Sequence, residues 1–175
     1  MPMFKQDDHL IQNRLLAALP KRDYQRLSTH LKTIVVTPRE MLYRPDEPIK
    51  YVYFPGDAVA SLIWTTEEGS TIEVGIVGNE GVVGIPVVLG FKTIPNQAMV
   101  QIGGTVMRMK ADVLKEEFNR CRPLQEILLC YTYALLIQIS RSVVCSRLHT
   151  LEERLSRSPV DDPRSGKIRQ LDAYP

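Results

Sequence analysis

Cysteine is scarce in this sequence. Cys121, Cys130 and Cys145 form an odd set with no Cys-x-x-Cys spacing. That pattern argues against a disulfide framework and for reduced thiols in a core or an interface, with no metal or redox role. Histidine is as sparse: His9, His30 and His149 fall in helical patterns at opposite ends of the chain. No trio can converge on one strand, as a jelly-roll metal enzyme would require. Cys145 and His149 share one helix face, and a helix surface offers no oxyanion hole, so no catalytic residue and no metal ligand is expected. Long apolar runs are missing too, since nothing approaches the roughly 18 continuous apolar residues of a membrane span. The opening stretch MPMFKQDDHL lacks the apolar core of a signal peptide, so a cytoplasmic location is expected. A net charge of +2 is too small to argue for nucleic acid or an acidic lipid surface.

What is present is a chain of 175 residues, long enough for one domain and an appendage around a real core. Most of its ten glycines lie between Val74 and Gly104, among short runs of Val and Ile. Such runs read as strands buried on both faces, and the glycines mark turns, bulges or close backbone approach. Gly84-Ile85-Pro86-Val87 can open a short helix, because proline is tolerated at a first helical position. A strand, a glycine turn and a helix N-terminus present free N–H groups to an anion such as phosphate. The plain alternative is a glycine-rich β-turn with no ligand.

Ahead of this stretch, His9 to Leu19 and Lys21 to Leu31 carry leucines and Tyr24 on helical spacing, divided by Pro20. The period then changes to that of strands. Short β-branched and aromatic runs are predicted as strands at 33–37, 51–54, 59–64, 70–77, 98–102 and 105–109. Turn signals at Pro38, Pro45–Pro48, Pro55–Asp57, Glu67–Gly69 and Gly103-Gly104 separate them. Short strands with no helices between them predict an antiparallel sandwich or barrel of the jelly-roll kind. A helix follows over 110–119. Another runs from Leu124, just after Pro123, to Leu155, apolar nearly all round in its first half. Two covered faces need two partners, the barrel and a second copy of the helix. The spacing Leu124, Leu128, Tyr131, Leu135, Gln138, Ser142, Cys145 and His149 forms a seam for that second copy. A helix buried wholly within one chain is the alternative. From Ser158 to Pro175 the chain is proline-containing and polar, and reads as a loose tail.

Several stretches together resemble the Crp/Fnr family of bacterial transcription regulators, whose sensor domain is cyclic-nucleotide-binding-like. They are Leu15–Pro20, Val52–Asp57, Gly78–Gly84 with Gln97–Gln101, and Cys145–His149 with Leu151–Leu155. The resemblance covers about residues 10–157. It implies an α+β, mainly β fold: an antiparallel β-roll, or double-stranded jelly-roll barrel, of about eight strands. Two N-terminal helices precede the roll and a long C-terminal dimerisation helix follows it. The expected divisions are 1–119 for roll and leading helices, 120–157 for the dimer helix and 158–175 for the tail. An effector pocket is implied at Gly75, Val77, Gly84, Ile85, Pro86, Val87, Asn96, Gln97 and Ala98, closed from the helix side by Tyr131 and Leu135.

Two departures from the family pattern matter. Where cyclic-nucleotide binders place a Glu for the ribose and an Arg for the phosphate, this sequence has Ile85 and Asn96. Losing the Arg–phosphate bond removes roughly 1.5–3 kcal/mol or more. Family members also continue into a winged helix-turn-helix, for which no residues follow Arg157 here. The resemblance therefore implies an effector-sensing and dimerisation module with a degenerate phosphate cassette. Its partners would be a second copy and a small anionic effector, a cyclic nucleotide or another, with DNA reached only through a domain absent from this chain and no membrane contact. The alternatives are a working cyclic-nucleotide binder, or a dimer partner that antagonises a full-length regulator.

Overall fold

A computed structural model describes residues 11–148, with the side chains of 11–141. Two short helices come first, α1 (Arg14–Ala17) and α2 (Lys21–Ser28). Seven strands follow: β1 (Lys32–Val36), β2 (Met41–Tyr43), β3 (Tyr51–Pro55), β4 (Val59–Thr65), β5 (Thr71–Val77), β6 (Gln97–Ile102) and β7 (Gly104–Lys110). Helices α3 (Ala111–Arg120) and α4 (Arg122–Leu148) close the described chain.

All strand pairs are antiparallel, in two sheets of order β1-β7-β3 and β2-β6-β4-β5. The expected mainly β roll with flanking helices is what forms. Among the described residues there are seven strands rather than about eight, and β2 is not among those predicted. The first helix is shorter than its leucine spacing suggests, because Asn13 caps it and Pro20 stops it. Residues 149–157 of the long helix and the tail at 158–175 lie outside the described residues. No helix among the described residues is long and apolar enough to cross a membrane.

The two sheets enclose one continuous core that includes Val36, Val52, Phe54, Val77, Ala98, Val100, Val106 and Met109. Helix α3 caps it with Leu114 and Phe118, and α4 adds Leu124, Leu128, Tyr131 and Leu135. Buried Glu117 carries a charge that burial alone would penalise. It is met by Arg26 of α2 at 2.9 Å and by Arg120 at 3.6 Å, which ties the leading helices to α3. Cys121 is buried beside this pair and Cys130 is exposed on α4, both as free thiols. The side chain of Cys145 lies outside the described residues.

At the β3–β4 turn, Asp57 accepts hydrogen bonds from the Thr105 backbone N–H and hydroxyl, both at 2.6 Å. These bonds favour the charged form and hold the carboxyl below its ordinary range. A carboxyl lowered on folding contributes stability above its unfolded value, and that contribution disappears as pH falls through the lowered value. Urea midpoints should therefore drop more between pH 6 and pH 3 in the wild type than in Asp57→Asn. Parallel curves for the two proteins would refute the contribution.

Candidate functional site

The glycine-rich stretch begins with a clamp. Val83 exchanges both backbone hydrogen bonds with Tyr53 of β3, at 2.8 and 3.0 Å. Gly84 then turns with φ +97, in the left-handed region that favours glycine. A Cβ there would meet Val52 Cγ1 at 3.1 Å and Ile49 Cγ2 at 3.4 Å, so the turn seats directly on the core. The short helix expected after it is a single 3-10 turn, Ile85–Val87.

Part of this turn is spent internally: Pro86 has no N–H, and the N–H groups of Val87, Val88 and Leu89 donate to the Gly84, Ile85 and Pro86 carbonyls. One turn also carries almost no helix dipole. The side chains of Ile85 and Val87 are buried in the core.

Other sequence-predicted residues lie around the same region. Val77 and Ala98 are fully buried. Pro86 and Gln97 are partly buried, and Gln97 pairs with Ile63 in the β4–β6 ladder. Asn96 lies beside the Tyr43 phenol, which burial pushes up and the neighbouring Asn96 side chain pulls the other way. At Gly75 the missing side chain lets α4 approach β5: an added Cβ would lie 3.7 Å from Ile139 Cγ1. Gln138 also donates to the Ile76 carbonyl at 3.1 Å, which covers part of the β5 edge. Residues 84–87 and 96–98 include no Arg or Lys to pair with a phosphate.

Helix α4 is turned differently from the expected seam. Leu124, Leu128, Tyr131 and Leu135 are buried against their own chain's core, with Tyr131 and Leu135 also bordering an open groove. Gln138 is spent on β5, and the side chains of Ser142 and Cys145 lie outside the described residues. The apolar side chains on the opposite face are Leu129, Tyr133 and Leu136, at 47, 63 and 57% exposure. A helix apolar on most sides gives no clue from period alone as to which stripe faces inward.

Tyr131 fills the space under Gly81, where an added Cβ would come within 2.8 Å of its ring carbons. Burial pushes its phenol up, and the Glu80 charge adds to the rise. The Val82 backbone opposes it without reaching hydrogen-bonding geometry.

Two cavities lie beside these residues. One of about 390 Å³ separates the N-terminal segment from the first sheet, between Ile11, Tyr24, Thr33 and Met107. The other, of about 490 Å³, lies along α4 against Leu15 and Glu80 and includes Tyr131 and Leu135. Neither is lined by residues 84–87 or 96–98. Of the residues lining the second cavity, Leu15, Glu80, Glu126, Ile127, Cys130 and Ala134 were not among the predicted site residues, nor was Asn13, which positions Leu15. Asn13 did carry a signal, as a capping residue directly before an apolar periodic run.

No protein-family model and no curated protein sequence matches the chain. Solved structures do. The c-di-GMP responsive global regulator CLP of Xanthomonas campestris superposes with a TM-score of 0.69 at 13% identity, over 87% of this chain and 77% of that one. FixK2 from Bradyrhizobium japonicum gives 0.63 at 17% identity, over 72% of this chain and 62% of that one. The N-terminal domain of a transcriptional regulator from Streptomyces coelicolor A3(2) gives 0.55 at 16% identity, over 77% of this chain and 94% of that one. At such identities the likeness is one of fold, and the fold of this chain is the jelly roll of cyclic-nucleotide-binding regulators.

Proposed function

We propose that this chain is an effector-sensing and self-associating module of a Crp/Fnr-type transcription regulator, working by binding and not by catalysis. The observation that carries this is the double use of α4. One face is sealed into the roll while Leu129, Tyr133 and Leu136 stay exposed on the other. Adjacent apolar side chains on one open helix face favour pairing with a second copy. The fold likeness to CLP, a responsive global regulator by its description, supports the regulatory class. DNA contact is not assigned to the described residues.

The region of residues 84–87 and 96–98 serves packing in this proposal, and the effector is not a cyclic nucleotide held in that region. Calorimetric titration with cyclic AMP and cyclic GMP up to millimolar concentration is expected to give no saturable heat. Sedimentation velocity at micromolar concentration is expected to give a dimer. Saturable micromolar binding would overturn the packing role, and a strictly monomeric chain would overturn self-association.

A further inference from the structure

The larger cavity is an open groove whose floor is apolar, with Leu15 from α1 and Ile127, Tyr131 and Leu135 from α4, and with exposed Ala134 on its rim. Its volume, about 490 Å³, is in the range of small-molecule sites, which are mostly apolar with a few placed polar groups. One polar group on its rim lacks a charged partner among the described residues. Glu80 is partly buried, and its Oε1 accepts the Gly78 N–H at 2.9 Å. Among the described residues no cation pairs with Glu80, whereas the other rim carboxylate, Glu126, is held by Arg122 at 2.9 Å. An apolar floor beside an unpaired carboxylate matches a ligand of complementary charge and apolar body.

The walls are held before any ligand arrives. Asn13 is fully buried, and its Nδ2 donates to the Pro55 and Gly81 carbonyls at 3.0 and 2.9 Å. The Arg14 N–H donates to the Asn79 carbonyl at 2.7 Å. Leu15 and the Gly78–Gly81 turn are therefore fixed opposite α4, and a ligand need not order them.

We infer that this groove binds a small, largely apolar organic cation, its charge set against Glu80 and its body on the floor of Leu15, Ile127 and Leu135. The stripe of Leu129, Tyr133 and Leu136 lies across α4 from this groove. With α4 common to both, occupancy is relayed to self-association, a consequence that rests on the sensor function proposed above.

A same-shaped pair of opposite charge tests this: tetraphenylphosphonium and, in separate titrations, tetraphenylborate, each added to the full chain by calorimetry. The phosphonium is expected to bind saturably and the borate at least about tenfold more weakly. Glu80→Gln should remove that discrimination while keeping the bond from the Gly78 N–H. Ala134→Trp, on the exposed rim, should abolish binding of both ions with an unchanged circular dichroism spectrum. Equal binding of the two ions, or phosphonium binding that survives Ala134→Trp, would overturn the site. So would absence of phosphonium binding by a chain that still dimerises, and that result leaves the sensor function standing. Sedimentation of the same samples reads the relay. A shift of the dimer dissociation constant with phosphonium supports it, and binding without a shift overturns the sensing role while the site remains.

Discussion

Asn13→Leu is expected to destabilise the fold by about 3–7 kcal/mol, which lowers the melting temperature of a chain this size by about 6 °C or more. The side chain has no exposed surface and makes four hydrogen bonds. Its oxygen accepts from the Leu15 and Leu16 N–H groups at 3.2 Å, which caps α1; removing such a cap costs about 1 kcal/mol. Its nitrogen satisfies two carbonyls, Pro55 at the end of β3 and Gly81 under the glycine-rich turn. Each buried carbonyl left without a partner costs about 1–3 kcal/mol. Asn13→Ser should recover only the capping share, since its hydroxyl cannot reach both carbonyls. Asn13→Asp keeps the cap but faces a carboxylate with two carbonyl oxygens, so it should be no better than leucine. Urea and thermal unfolding of the three variants measures this directly. A loss below about 1 kcal/mol for Asn13→Leu would mean that water replaces the amide, and that Asn13 is a cap and nothing more.

Asn13 also marks the limit of what the sequence makes legible. Its capping role is local and readable from the leucines that follow it. Its bonds to Pro55 and Gly81 join positions 42 and 68 residues away, which no local pattern encodes. The strands were readable because β-branched runs alternate with proline and glycine turns, and both sheets use those runs. Strand β2 was not: Met41–Tyr43 is short, and the flanking turns use Arg39 and Asp46 at positive φ instead of glycine. Gly84 announced a turn, and the turn is there. Whether such a turn offers its amides to a ligand or packs into the roll depends on Ile49 and Val52, far back in the chain.

The same physics predicts opposite outcomes for two leucines on α4. Leu128 has no exposed surface and packs among core residues of its own chain, so Leu128→Ala should destabilise the monomer by about 2–5 kcal/mol. Leu128→Glu would bury an unpaired carboxylate there and is expected to prevent folding. Leu136 is 57% exposed on the far side of the helix, where Leu136→Glu should change monomer stability by no more than about 0.5 kcal/mol. Its effect should appear in self-association. A two-fold interface counts each substitution twice, and burying a leucine contributes about 1.5–3 kcal/mol, so the dimer dissociation constant should rise about 100-fold or more. Sedimentation equilibrium reads that constant, and urea unfolding at dilutions below it reads the monomer. If Leu128→Ala instead weakened the dimer at unchanged monomer stability while Leu136→Glu left it intact, the stripe of Leu124, Leu128, Tyr131 and Leu135 would be the seam after all. Helix α4 would then have to leave the roll to form it. The burial of those four side chains against their own chain argues for the other outcome, because freeing them would expose apolar surface that a single paired helix covers only in part.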